Sequence, residues 1–516
     1  MATAQEAGEP GEPSIVLPTY ILEIEDLSTE NVEAGLPDEE ALLPPERTPP
    51  LPTGGELVIE EADLEIIAPD AGTAVLPAAD TSFVIESVLG AGSRHHLYSQ
   101  FSLYQLGGDP RYQVLFEHQV FDGFGGNPAG AGYDRRSDLL KGSIHTSPGR
   151  LTVSASGAFT DTEVGLQGQS IYASRSLRVI EAGAGVEYPI TDWLGLRGAL
   201  QAHSASLFLT RADPDWLTEY VAEPTVTATA STGPLSASLS LAYGIWGAAN
   251  TGVPVTHRTR VKLGADLDLP AGLRASAEVA WHQEFDGSHH VPFSVVLSGN
   301  PWESVRIHLA AGYRLRNPSM LEALQEFGFT ASPTAGLAAE SGWFGDAGVQ
   351  VTLARVVVLS VDVAMQLGTT MVTPSADVDP THGLYTLSQV PADRLDGAAT
   401  LRWNITPSIY TGLAYRRCFL DRPEHAARDT IEAEFVGAGM DDRVGGKVVG
   451  SFSLGDRATP QVPVLDAEAF LRLTENVRVV AEVKDLLAPI SQGIRYGVGS
   501  YIEPGIQASV KVHLSF

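Results

Sequence analysis

Apolar and polar residues alternate one by one along the end of the chain, from Ile506 to Phe516. A period of two that is held to the last residue predicts a β-strand with one apolar and one polar face. A barrel that closes in a membrane needs such a terminal strand, with its apolar face toward lipid. Val512, Leu514 and Phe516 on that face are therefore the predicted membrane-insertion signal.

The same alternation begins near Ser82 and continues along the chain. Clear examples lie at 261–269, 273–281, 305–316, 465–472 and 477–484. Many segments run about ten to thirteen residues, which suits a tilted strand that crosses a bilayer better than a soluble strand of about five or six. No run approaches the roughly 18 apolar residues of a membrane-spanning helix, so only strands could cross a bilayer. The pattern predicts an all-β fold, a transmembrane antiparallel β-barrel over 82–516.

Connections between the predicted strands fall into two classes. Short turns occur at 107–110, 147–149, 189–192, 232–234, 270–272, 299–301, 354–355, 405–407 and 474–476. Longer loops include 123–136, 316–340, 373–383, 420–429 and 487–503. Short turns on one side of the membrane and long loops on the other are typical of an outer-membrane barrel.

Strict alternation of the two classes also fixes a strand count. With both termini in the periplasm, it requires a tenth short turn near 441–443, between strands at about 430–439 and 445–454. Ten short turns imply about 22 strands, an even number as in bacterial barrels. Periodicity alone gives about 21 segments, so about 20 strands is the alternative. The barrel would close by pairing the last strand with a first strand near 82–89.

Tryptophan positions are consistent with two aromatic girdles, one at each membrane surface. Three lie at or near short turns: Trp193, Trp302 and Trp403. Four lie on the loop side: Trp216, Trp246, Trp281 and Trp343. None falls in the middle of a predicted strand.

Residues 1–81 form a separate and mostly irregular segment. It holds 19 acidic residues and one basic residue, Arg47, so it carries −18 of the total net charge of −30. The proline-rich stretch 43–52 predicts a semi-rigid spacer, and two short β-prone islands lie at 15–24 and 57–67. Two alternatives follow: a disordered periplasmic tail, or a segment whose residues 14–67 dock on a periplasmic protein or inside a basic-lined lumen.

The polar faces of the predicted strands are the candidate functional surface, because they would line the lumen of the barrel. The candidates that would contact a solute are Arg260, Lys262, Arg274, Arg306, His308, Arg314, Arg316, Arg478 and Lys484. One alternative is a wall of mutually paired charges that only keeps the lumen polar. The other is that Arg306, Arg314 and Arg316, next to the longest loop, attract an anionic solute or the acidic N-terminal segment.

The sequence holds no recognisable catalytic constellation, so no enzyme activity, cofactor or metal is predicted. The adjacent pairs His95–His96 and His289–His290 would point in opposite directions on a strand, which makes them poor joint ligands. The single cysteine, Cys418, excludes an internal disulfide. The acidic composition argues against nucleic acid as a partner.

Several short motifs follow one another in the C-terminal two-fifths of the chain. They are Tyr313-Arg314, Asn317-Pro318, Glu322, Pro333, Leu337, Glu340 and Gly342, then Asp485-Leu486-Leu487, Tyr501, Pro504-Gly505 and Phe516. In this order they resemble the barrel of TonB-dependent outer-membrane receptors, with Ile506 in place of an Arg of the family pattern. The resemblance implies a globular plug ahead of a 22-stranded barrel. Only about 80 residues, those of the acidic and proline-rich segment, precede the first predicted strand, too few for such a core, so we expect a receptor-like barrel without a full plug domain.

The resulting prediction is a monomeric barrel in lipid of the bacterial outer membrane. It would take up a nutrient or small solute, with 1–81 acting as a reduced plug or periplasmic docking arm. The alternative is an outer-membrane anchor or structural protein whose acidic segment binds a periplasmic partner.

Overall fold

The structure is a computed structural model of the chain. It describes residues 83–105, 107–124, 127–210, 215–249, 255–316, 321, 324, 330, 339–354, 356–378, 383–419, 429–454, 463–488 and 505–516. The predictions for 1–81, including the docking islands, lie outside the described residues. In the part of the chain that is described, no helix is long and apolar enough to cross a membrane.

Twenty-two strands follow one another in an up-and-down order. Their bounds are β1 Phe83–Gly92, β2 Leu97–Gln105, β3 Arg111–Phe121, β4 Arg135–Thr146, β5 Thr152–Gly165, β6 Ser174–Pro189, β7 Leu194–Thr210, β8 Asp215–Thr232, β9 Leu235–Ala249, β10 Thr256–Leu269, β11 Leu273–Gln283, β12 Phe293–Trp302, β13 Val305–Arg316, β14 Glu340–Leu353, β15 Val357–Val378, β16 Tyr385–Thr406, β17 Ile409–Cys418, β18 Asp429–Gly439, β19 Val444–Leu454, β20 Val464–Thr474, β21 Val477–Lys484 and β22 Gln507–Ser515. The two-residue piece His289–His290 precedes β12 and pairs with the end of β11. The predicted count of 22 is confirmed.

The barrel closes through the two terminal strands. Strand β1 pairs antiparallel with β22, in a register that places Val88 opposite His513. Two backbone hydrogen bonds between Ile85 and Phe516, of 3.0 and 2.9 Å, extend the pairing to the last residue. The sequence-based prediction of this closing pair is confirmed, and no sheet edge is left unpaired along the seam.

Nine of the ten predicted short turns lie at connections between strands; the exception is 299–301, because β12 continues to Trp302 and the connection falls at 303–304. A register shift between Gly299 and Trp302 accompanies this difference. The inferred turn at 441–443 lies between β18 and β19, as strict alternation requires. One predicted loop is wrong in part, because β15 continues to Val378 and its connection to β16 is correspondingly shorter than 373–383. Alternation is weaker in this stretch, where register shifts interrupt the β15–β16 pairing.

The outward face of the wall is apolar and open to its surroundings. Leu263, Val295 and Val510 are each more than half exposed, and they alternate with charged or polar neighbours along their strands. A continuous exposed apolar belt on a closed barrel is stable against lipid rather than against water. The barrel is therefore built to span a membrane.

The aromatic girdles are present, with one correction. Trp193, Trp302 and Trp403 are 57%, 67% and 50% exposed at the short-turn side, and Trp343 is 56% exposed at the loop side. Trp246, however, lies on the opposite face of its strand and donates a hydrogen bond to Glu219. Its position on the loop side was correct, but it is not part of a girdle.

Candidate functional site

Most residues predicted to contact a solute are paired with carboxylates. Seven of the nine have such a partner within 4 Å: Arg260–Glu223 (2.8 Å), Lys262–Glu278 (2.8 Å), Arg274–Asp266 (3.3 Å), His308–Asp346 (3.1 Å), Arg316–Glu340 (3.4 Å), Arg478–Glu468 (3.7 Å) and Lys484–Glu482 (3.2 Å). These residues are spread over β10 to β21 and do not converge on one point. The pairing favours a polar wall with little free charge at these positions.

The predicted basic row next to the longest loop is not uniform. Arg316 is paired with the buried Glu340, and the guanidinium of Arg314 lies 5.8 Å from the ring centroid of Phe344. Arg306 is exposed and donates to the side-chain oxygen of Asn300 at 3.3 Å. The three arginines therefore differ in how much of their charge remains available to a solute.

A second polar cluster lies on the inner face of the closing seam. Glu482 accepts hydrogen bonds or ion pairs from Lys511 at 2.7 Å and from Lys484 at 3.2 Å. The guanidinium of Arg478 lies 3.8 Å from the ring centroid of Phe470. A small cavity of about 160 Å³ is bordered by Tyr98, Arg478, Glu482 and Lys511.

The loop side of the barrel differs from the rest of the wall because connections from distant strands meet there. Leu166 and Tyr172, between β5 and β6, are buried with Leu384 and Tyr385, at the start of β16. These two positions are ten strands apart in a barrel of 22, nearly half of its circumference. An apolar cluster therefore bridges the mouth of the barrel from one wall to the other.

Residues that follow β13 reach the same region. Leu321 and Leu324 are buried against Leu177 and Leu207 of β6 and β7. Arg175 donates to the carbonyl oxygen of Leu324 at 2.9 Å. Thr330 forms a parallel β-bridge with Tyr385. We call residues 166–172, 321, 324, 330 and 383–385 the mouth cluster.

Close backbone contact makes one glycine of the mouth cluster necessary. Gly383 has a φ of +71°, in the left-handed region that favours glycine. A Cβ at this position would lie 2.2 Å from the carbonyl oxygen of Gln169 and 2.7 Å from the Cα of Ser170. The connection between β5 and β6 and the start of β16 are therefore in direct backbone contact.

Charged residues support the mouth cluster from below. Glu219 is 2% exposed, accepts a hydrogen bond from Trp246 at 2.6 Å and accepts another from the backbone N–H of Leu321 at 3.2 Å. Arg258 pairs with Glu223 at 2.6 Å and lies 5.2 Å from the ring centroid of Phe285. The sequence-based reasoning missed these residues. Glu219 is flanked by Thr218 and Tyr220, and Arg258 by His257 and Thr259, so apolar alternation does not mark them in the sequence.

The pair His289–His290 behaves as expected for adjacent strand residues, whereas His95–His96 lies in the turn between β1 and β2. His289 stacks on Trp281 with centroids 5.6 Å apart, whereas His290 lies across from His282. His96 is buried against Phe121, and its pKa is lowered because burial disfavours the charged form. No group of three or more metal-ligating side chains occurs among the described residues.

Comparison with known proteins identifies the fold. No protein-family model matches the chain, and no curated protein matches it. Solved structures do match: a variant of the ferric enterobactin receptor PfeA of Pseudomonas aeruginosa (13% identity, 85% of this chain and 80% of that chain, TM-score 0.62) and the copper transporter OprC (11%, 86% and 81%, 0.62). The FrpB iron transporter of Neisseria meningitidis is similar as well (11%, 85% and 82%, 0.63). The predicted barrel of the TonB-dependent receptor type is confirmed at the level of the fold.

Proposed function

We propose that this chain is an outer-membrane transporter that takes up a small polar solute through the lumen of its barrel. The observation that carries the proposal is the closed 22-stranded wall, with an exposed apolar outer face and a charged inner face. A wall of this kind separates lipid from a polar interior. The similar solved structures, whose names describe a siderophore receptor, a copper transporter and an iron transporter, support the same class of function.

In this proposal residues 1–81 act as a reduced plug or as a periplasmic docking arm. The sequence supports it, because the segment carries a charge of −18 and precedes the first strand directly. Deletion of residues 5–78 should raise the single-channel conductance of the purified protein in planar bilayers. An unchanged conductance would contradict the plug version, and the docking arm would then be the remaining version of the proposal.

A second candidate is an outer-membrane anchor whose acidic segment binds a periplasmic partner. The mouth cluster favours it, because the apolar contacts of Leu166 and Leu384 close part of the mouth. The two candidates differ in solute passage. The anchor hypothesis predicts that no small sugar or ion enters proteoliposomes that hold the full chain, and that none enters proteoliposomes that hold the chain without 5–78. Solute entry in either preparation would establish the transporter.

A further inference from the structure

Two arginines on the inner wall differ from the ion-paired ones, because their side-chain hydrogen-bond partners are neutral. Arg306 of β13 donates to Asn300, and Arg402 of β16 donates to Asn404 at 3.1 Å and stacks 4.1 Å from the ring centroid of Tyr410. Within the described ranges neither forms an ion pair with a carboxylate. Both therefore keep an uncompensated positive charge.

Strand register places polar neutral side chains between these two arginines. Arg306 lies opposite Gln350 of β14, Gln350 lies opposite Ser360 of β15, and Ser360 lies opposite Thr400 of β16. These four residues form one row across four neighbouring strands. Arg402 is two residues beyond Thr400 and so lies on the same face.

The row lies near the short-turn end of the wall. Arg306 is the second residue of β13, and Arg402 is four residues before the end of β16. On these four strands Asp346 and Asp362 lie further toward the mouth, and Asp346 is paired with His308 at 3.1 Å. On the other side of Arg402, Gly412 of β17 lies opposite it and Glu434 of β18 lies opposite Gly412, where Glu434 is paired with Lys447 at 3.1 Å. Strands β13 to β16 therefore present positive charge near the short-turn end and carboxylates further toward the mouth.

From this arrangement we propose an anion-binding patch formed by Asn300, Arg306, Gln350, Ser360, Thr400 and Arg402. The patch rests on the proposed function, and it names the solute class of the same lumen: a small molecule that carries phosphate or carboxylate groups. Guanidinium groups and neutral hydrogen-bond donors suit such oxygens. Rings or rows of arginine inside pores select anions for the same reason.

Spacing sets the size of the solute. Adjacent strands are about 4.8 Å apart, so the backbones of Arg306 and Thr400 are separated by roughly 14 Å across three strand intervals. Arg402 lies about 7 Å further along β16, which places its backbone roughly 16 Å from that of Arg306. Side chains of this length can reach toward each other over the intervening row. A solute with two anionic groups can contact both, whereas a single ion contacts one.

The test uses the full chain in detergent and measures the rate at which phenylglyoxal modifies each arginine, by mass spectrometry. Pyrophosphate and citrate are the phosphate and carboxylate probes, with sodium chloride at equal ionic strength as the reference. We expect modification of Arg306 and Arg402 to slow by at least about threefold with either probe, through direct contact rather than screening. Arg443, exposed in the turn before β19, should be unaffected.

A matched pair of variants distinguishes protection by binding at the patch from a general electrostatic effect on arginine reactivity. Gln350→Glu adds a carboxylate within the row and should abolish protection of Arg306. Gln366→Glu, on the same face of β15 but about 20 Å further toward the mouth, should leave it intact.

Equal rates with and without the probes, or equal slowing at Arg443, would overturn the patch. Protection by one probe alone would identify the solute class as phosphate or carboxylate. None of these readouts requires transport, so failure of the patch and failure of the proposed function are distinguished.

Discussion

The two ends of the barrel are built from the same strands and yet differ in how their connections are used. At the periplasmic end ten short turns join neighbouring strands, and few of their residues are buried. At the mouth, Leu166 and Leu384 are fully buried although they belong to connections on opposite sides of the barrel. The wall is therefore held together by pairing between strands that are neighbours in sequence, whereas the mouth depends on contacts between distant parts of the chain.

The largest effect is expected from a charge placed in the mouth cluster. Leu384→Asp buries a carboxylate among apolar side chains, which should destabilise the cluster by at least about 3 kcal/mol. Hydrogen exchange of the amides of Leu166 and Gln169, which are hydrogen-bonded within this region, should accelerate accordingly.

Ile171→Asp is the matched control for this substitution. Ile171 lies in the same connection but is 57% exposed, so its substitution should leave the exchange rates unchanged. Slow exchange in Leu384→Asp would show that the mouth cluster is not held by apolar burial.

A smaller effect is expected at the close backbone contact. Gly383→Ala introduces a Cβ 2.2 Å from a carbonyl oxygen, in addition to left-handed strain, and should cost about 2–3 kcal/mol. Gly287→Ala has similar strain, with a φ of +82°, but no atom within 4 Å of the new Cβ, and should cost about 1 kcal/mol. The difference in hydrogen exchange between the two variants measures the steric contact alone. Equal effects would mean that the connections move apart easily.

At the periplasmic end, the terminal residue tests the predicted insertion signal. Phe516 is 68% exposed on the outer face, and its backbone extends the closing pair. Phe516→Ala should remove about 2 kcal/mol of aromatic contact with lipid and lower the fraction of heat-modifiable, assembled barrel on gels. Phe419→Ala, which removes an aromatic of 57% exposure near the mouth, is the control. Equal loss in both variants would contradict a special role for the terminus.

The smallest effect concerns a contact between two neighbouring turns. The pKa of Asp109 is lowered by hydrogen bonds from Thr146 and from the backbone N–H of Ser147, the latter at 2.9 and 3.1 Å. A lowered pKa in the folded state stabilises the protein above the unfolded pKa of about 4, and this contribution is lost as the pH falls through the folded value.

The difference in unfolding midpoint between the wild type and Asp109→Ala should therefore be larger at neutral pH than at about pH 2. Because Asp109 is fully exposed, the difference should be small. A difference that grows on acidification would have the wrong sign.

Much of the fold could be predicted from the sequence because its determinants are local. A period of two in 261–269 identifies a strand with two unlike faces, and a turn such as 232–234 identifies its end. The inferred turn at 441–443 shows that alternation of turn classes can locate an element with a weak signal of its own. The lumen-facing role of the nine solute candidates stays a prediction. Their carboxylate partners depend on the register between strands, which periodicity along one strand does not contain.

The strand periodicity, a count of about 22 strands with about 20 as the alternative, and the pairing of the last strand with the first could be predicted from the sequence. These follow from steric and solvation preferences of residues that are neighbours in the chain. The tertiary structure was needed to show that Leu166 meets Leu384, that Trp246 turns inward to Glu219, and that the side chains of Arg306 and Arg402 donate to neutral partners. The first two contacts join residues far apart in sequence, and they exist only once closure of the barrel has fixed which strands are neighbours and which face each other.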